Sequence, residues 1–133
     1  MYRIGIIGPK TCYKPKKIQE LLYRVKTNFG NTATIFSGGN DSGIEREVRN
    51  CCLKFGLPYK EFNPAFTGYN SFSYLDQKYY QKGYHHSHYY HRYTEMLKYA
   101  DRLFVGYEEC DEFKLYEQII KKSNKKKIPT VLI

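Results

Sequence analysis

No apolar run in this 133-residue sequence approaches the ~20 residues that a membrane-spanning helix needs. The first ten residues, MYRIGIIGPK, hold too short an apolar stretch for a signal peptide and pass directly into a strand-like pattern. CxxC pairs are missing as well. The four cysteines are Cys12, Cys51, Cys52 and Cys110, which leaves a cysteine-only zinc site without its ligand spacing. There is no HExxH, no internal repeat, and no composition shift that would mark a second domain. These absences predict a cytoplasmic protein with no membrane partner and with buried free thiols. They also predict one domain over residues 1–133, with no resident cofactor and no metal.

Acidic residues are scarce: 13 against 22 lysines and arginines, a formal net charge of +9 and a pI of about 9.3. That balance suits an anionic partner, either nucleic acid or a phosphorylated small molecule. Much of the excess lies in KPKK (14–17) and KKSNKKK (121–127). The second run falls at a helix C-terminus, where the helix dipole favours cations, and reads as a solvated surface. Lysine and tyrosine dominate over arginine, the residue usage of an AT-rich genome such as that of a bacteriophage.

What the chain does contain is strand and helix in alternation. Residues 3–8 read as a buried strand. Ile18, Leu21, Leu22, Val25 and Phe29 repeat at helical spacing over 16–29. The β-branched run 32–37 is a second strand. Ile44, Val48, Cys51, Cys52 and Phe55 share a face over 42–55, with Gly56 as stop signal. A weak third strand spans 58–62, helix returns over about 86–100, and 102–107 is the fourth strand. Asp111 is placed to cap a last helix carrying Phe113, Tyr116, Ile119 and Ile120, and 127–133 forms the fifth strand. This order predicts a parallel five-stranded sheet with helices on both faces, a Rossmann-like three-layer α/β sandwich with strand order 3-2-1-4-5.

In such sheets ligands sit at the carboxyl ends of the strands, near the point where strand order reverses. Here those ends are Gly8-Pro9-Lys10, Ser37 to Ser42, Asn63 onward and Gly106 to Asp111, and the first two bear glycines side by side. Strand one ends in Gly8-Pro9-Lys10, and strand two ends in Ser37-Gly38-Gly39-Asn40-Asp41-Ser42. Neither forms a GxGxxG fingerprint, so a dinucleotide is disfavoured and a single nucleotide or nucleoside phosphate fits better. Ser42 and Glu45 have the spacing of a capping box. The helix N-terminus behind them would offer N–H groups to an anion, with glycine leaving room for it to approach the backbone. A plain strand-to-helix corner is the competing reading.

The stretch SGGNDSGIE resembles the SGGARGID-type motif of the SLOG superfamily, which includes the DNA-processing protein DprA (Smf), the LOG phosphoribohydrolases and the small YspA-like proteins. IIGPK is similar to the first-strand motif of that group, with Lys10 in place of arginine. HRYTEMLKYADRLFVGY resembles the YspA-like IRNREMLDEADLVLAF at Arg92, Glu95, Met96, Leu97, Ala100 and Asp101. The resemblance covers nearly the whole chain, most strongly the YspA-like members. It implies a nucleotide-type ligand held by Gly8, Pro9, Lys10, Ser37 to Ser42, Arg92 and Glu95. The chain departs from LOG enzymes in lacking their Gly-Gly-Thr motif, one extra residue precedes Gly43, and Glu45 replaces an aspartate. Ligand binding therefore carries over better than catalysis. If the chain is an enzyme, Glu45 and Arg92 are the catalytic candidates.

The segment from about 63 to 92 interrupts the alternation. It is rich in Asn, Ser, Gly and Tyr, and a loop this long is usually functional or flexible. With Tyr93 it holds more than half of the 15 tyrosines, and it holds all four histidines. His85, His88 and His91 form a drifting helical stripe, a weak zinc candidate without carboxylate support. The tyrosines suit either a lid that stacks on a base or packing of the loop onto the domain. Three functions follow. The first is binding of a nucleotide-derived molecule for sensing or sequestration. The others are cleavage of a nucleotide N-glycosidic bond and binding of single-stranded nucleic acid. Self-association into a homo-oligomer is left open.

Overall fold

The computed structural model describes residues 2–133. Five strands form one parallel sheet: β1 (Tyr2–Ile7), β2 (Ala33–Ser37), β3 (Tyr59–Glu61), β4 (Arg102–Val105) and β5 (Thr130–Leu132). Their order is β3-β2-β1-β4-β5, the doubly wound arrangement expected from the alternation. Register aligns Gly5 with Phe36 and Ile6 with Phe104. β1 is therefore central, and the ends of β1, β2 and β4 open on one edge.

The alternation of side chains along the strands divides the core in two. Ile4, Ile6, Ala33 and Ile35 pack with Ile18 and Leu22 of α1 (Pro15–Phe29) and with Ile44, Val48 and Cys52 of α2 (Ile44–Phe55). Ile7, Phe36, Leu103 and Val105 pack on the other face with Tyr93 and Met96 of α3 (Ser87–Met96) and with Tyr116 and Ile119 of α4 (Phe113–Lys125). Each Ile, Leu, Val, Phe or Met among them contributes about 1.5–3 kcal/mol when fully buried. Gly56 ends α2 in the left-handed conformation, φ +70°, and its N–H donates to the Cys52 carbonyl, as its stop-signal role requires. All four cysteines are free, and among the described residues no helix is long and apolar enough to cross a membrane.

Two expected caps do not form. Gly43, not Ser42, occupies the N-cap of α2, and no side chain caps it. Glu112 precedes α4, again without a side-chain cap, so Asp111 does not serve there. Glu45 is drawn away from the cap by partners at the end of β1, in the β2–α2 turn and on α3. α3 is also shorter than expected, ending at Met96.

The interrupting segment is tied to the sheet edge. Glu61 N–H donates to the Phe72 carbonyl at 2.7 Å, and Tyr74 N–H donates to the Glu61 carbonyl at 3.0 Å, covering the open side of β3. Tyr74 stacks on Tyr99 with centroids 4.9 Å apart and meets Phe36 edge-on at 5.0 Å. Much of the tyrosine content thus packs the segment onto the domain.

Candidate ligand-binding site

The carboxyl ends of β1 and β2 meet above a buried carboxylate. Glu45, in the first turn of α2, is 0% exposed. Its Oε1 accepts from Asn40 N–H at 3.1 Å. Its Oε2 accepts from the Tyr93 hydroxyl at 2.5 Å and from Gly8 N–H at 3.4 Å. Tyr93 also meets the Tyr116 hydroxyl at 3.0 Å. One side chain thereby joins β1, the β2–α2 turn and α3, and Tyr93 extends the network to α4. Burial pushes the Glu45 carboxyl above its ordinary range, against the pull of the nearby Arg92 guanidinium, the Tyr93 hydroxyl and two backbone N–H groups. The Tyr93 and Tyr116 phenols are likewise raised by burial and stay neutral.

Arg92 is 2% exposed. Its Nη1 donates to the Gly38 carbonyl at 2.8 Å and its Nη2 to Asn40 Oδ1 at 3.1 Å. The guanidinium lies over the rings of Tyr93 and Tyr89, 4.5 and 5.6 Å from their centroids. It therefore holds the glycine turn in place from the α3 side.

These contacts explain the glycines. A Cβ on Gly38 would stand 2.7 Å from Glu45 Oε1 and 2.8 Å from the Tyr93 ring. Gly39 has φ +77°, and a Cβ there would overlap the Asn63 amide. The space above both residues is filled by protein side chains. The Asn40 N–H is already taken by Glu45, and the Gly39 N–H by Ser37 Oγ at 3.2 Å. Neither of these two N–H groups is free for an anion, and at Asn40 the chain supplies its own carboxylate.

Two clefts flank this network. The larger, about 680 Å³, lies between α3 and the start of α4 and is lined among others by Tyr90, Glu112, Lys114, Leu115 and Tyr116. The smaller, about 270 Å³, lies over the ends of β2 and β3 and includes Asp41, Asn63, Phe66, Thr67 and Asn70. Lys10, Asn40, Tyr89 and Arg92 line both and form the neck between them. Lys10 is exposed. Asn40 Nδ2 and Arg92 Nε are buried donors with no partner among the described residues.

The expected site residues thus separate. Lys10, Asn40 and Arg92 line both clefts, and Gly39 and Asp41 line the smaller one. Gly8, Pro9, Ser37, Gly38, Ser42 and Glu95 line neither. Gly8 serves Glu45. The Pro9 carbonyl accepts from Cys12 N–H at 3.1 Å. Ser37, wholly buried, pairs with the Tyr59 hydroxyl at 2.7 Å. The Glu95 carboxylate turns to Lys98 Nζ at 2.9 Å. As a catalytic candidate, Glu45 is sealed below the surface with both oxygens occupied. The histidine stripe does not converge: His85 Nδ1 pairs with Ser87 Oγ and His88 Nε2 with the Gly83 carbonyl. Among the described residues no group of three His, Cys, Asp or Glu is arranged to hold a metal.

Asn63, Phe66, Thr67 and Asn70 lie within the interrupting segment, where the sequence shows no periodicity to orient them. Lys114 and Leu115 lie on α4, whose Phe113, Tyr116, Ile119 pattern marks the core face and not the residues beside it.

No family model matches the chain, and no curated protein matches it by sequence. Solved structures do. The molybdenum cofactor binding protein of the phototrophic bacterium Rippkaea orientalis superposes with a TM-score of 0.72 at 14% identity, covering 98% of this chain and 75% of that one. The molybdenum cofactor carrier protein of Chlamydomonas reinhardtii superposes with a TM-score of 0.60 at 16% identity, again covering 98% of this chain and 75% of its own. At such identities the likeness is one of fold: this chain has the Rossmann-like sandwich of these two proteins.

Proposed function

We propose that this chain is a SLOG-like protein that binds a phosphorylated, nucleotide-derived small molecule and holds it without turnover. The observation that carries this reading is the neck. Lys10, Asn40 and Arg92 bring an exposed ammonium and two unpartnered buried donors to the junction of two clefts. Unpaired buried donors cost about 1–3 kcal/mol each, and a phosphate oxygen is a strong acceptor for them. The larger cleft adds Tyr90 and Leu115, apolar surface suited to a planar base.

Holding is favoured over cleavage because the motif carboxylate, Glu45, is out of reach of either cleft. The names of the two structural neighbours, a cofactor binding protein and a cofactor carrier, point the same way. Single-stranded nucleic acid is less favoured. The lysine run 121–127 forms the last turns of α4 and leads into β5, which puts it at the sheet edge opposite the clefts.

Lys10→Ala removes an exposed cation and leaves the buried network intact. It is expected to weaken binding of a nucleoside mono- or diphosphate by about tenfold to a hundredfold, the worth of a charge-assisted contact of ~1.5–3 kcal/mol. Calorimetric titration of parent and variant measures this directly. Equal affinity in both proteins would remove Lys10, and with it the neck, from the site.

A further inference from the structure

We propose that the smaller cleft is a sugar subsite, taking the polyhydroxylated ring attached to the far phosphate of a nucleoside diphosphate sugar. The inference rests on the nucleotide reading above and narrows its ligand class. At about 270 Å³ the cleft falls just below the ~300–1,000 Å³ of ordinary ligand pockets. It fits one ring and not a second nucleotide. It joins the larger cleft through Lys10, Asn40, Tyr89 and Arg92, so a single ligand can span both, with its phosphates at the cationic neck.

The polar groups of the smaller cleft match hydroxyls better than a phosphate. Asp41 accepts and would repel an anion. The amide nitrogens of Asn63 and Asn70 are neutral donors, which suit hydroxyl oxygens. These amides are fixed in advance. Glu61, 1% exposed, accepts from Asn63 Nδ2 at 3.2 Å and from Asn70 Nδ2 at 3.4 Å. Ser73 Oγ donates to Asn63 Oδ1 at 3.1 Å. Glu61 is itself held by the Tyr59 hydroxyl at 2.7 Å and faces Arg49 at 3.7 Å. Each amide nitrogen carries a second N–H beyond the bond to Glu61, and the fixed orientation lowers the entropy lost on binding. Phe66 and Tyr89, 5.4 Å apart edge to face, supply an apolar wall for the C–H face of a sugar ring.

The test is calorimetry with UDP, UDP-glucose, ADP and ADP-ribose on the full chain. In at least one base series the sugar nucleotide is expected to bind about tenfold tighter than its own diphosphate, what one or two net hydrogen bonds contribute. In Asp41→Ala and Phe66→Ala that ratio is expected to fall toward one. In Lys10→Ala both affinities are expected to fall and the ratio to persist. Melting curves establish that each variant is folded. Diphosphates that bind with no sugar advantage overturn the subsite alone. A ratio unchanged in both cleft variants does the same. If none of the four probes binds, the nucleotide reading fails and the subsite falls with it.

Discussion

Replacing Arg92 with alanine is expected to lower unfolding stability by about 3–5 kcal/mol, the cost of removing one partner from a buried charged network. The Gly38 carbonyl and the Asn40 side-chain oxygen lose their donors. Glu45 loses the guanidinium charge that favours its ionised form. The loss should grow with pH. The Glu45 pKa is raised above its ordinary 4.5 by burial, while Arg92 pulls it down. A raised carboxylate pKa contributes stability that is fully present below the unfolded value and is lost as pH rises through the folded value. Without Arg92 the folded value climbs further, so the decline extends to higher pH. Urea unfolding of parent and variant at pH 5 and pH 8 measures this, with the larger difference expected at pH 8. Arg92→Lys, which keeps the charge but not the two-pronged geometry, should recover part of the loss. An Arg92→Ala protein as stable as the parent at both pH values would show that the guanidinium is not a structural pin.

Gly39→Ala is the second large effect. The backbone there is left-handed, which costs an L-residue roughly 1–2 kcal/mol, and the new Cβ overlaps the Asn63 amide. Forcing atoms into a packed site adds about 1–3 kcal/mol. Gly56 separates the two terms. Its φ is +70° and nothing lies within 4 Å of where a Cβ would stand, so Gly56→Ala should show the backbone term alone. Thermal melts of the two variants should place Gly39→Ala well below Gly56→Ala. Equal melting temperatures would mean that the Asn63 amide gives way freely and that the cradle around Gly39 is loose.

The sheet was legible because its evidence is local. Each strand is a short apolar run, each helix repeats its own apolar face, and a parallel order follows from their alternation. The same local logic misread Ser42 and Glu45. A serine three residues ahead of a glutamate matches a capping box, but Glu45 is claimed by Gly8, 37 residues away, and by Tyr93, 48 residues away. Arg92 shows the opposite case. Its motif drew attention to it, but its contacts with Gly38 and Asn40 bridge 54 and 52 residues, and only the fold reveals that it is buried. Asn63 was legible only as the end of a strand, and Asn70 not at all, for a related reason. Their value comes from Glu61, which orients them, and no spacing rule links a strand residue to amides in an irregular segment.

The central claim, that the Lys10–Asn40–Arg92 neck and its two clefts form the ligand site, is tested most directly by residue-resolved NMR. The backbone amide spectrum of the isotope-labelled chain would be followed through a titration with a nucleoside diphosphate. The account expects saturable shifts at Lys10, at Gly39 to Asp41, at Tyr89 to Arg92 and around Lys114, with residues 121–127 unmoved. Shifts concentrated in the lysine run 121–127, with the neck silent, would contradict it.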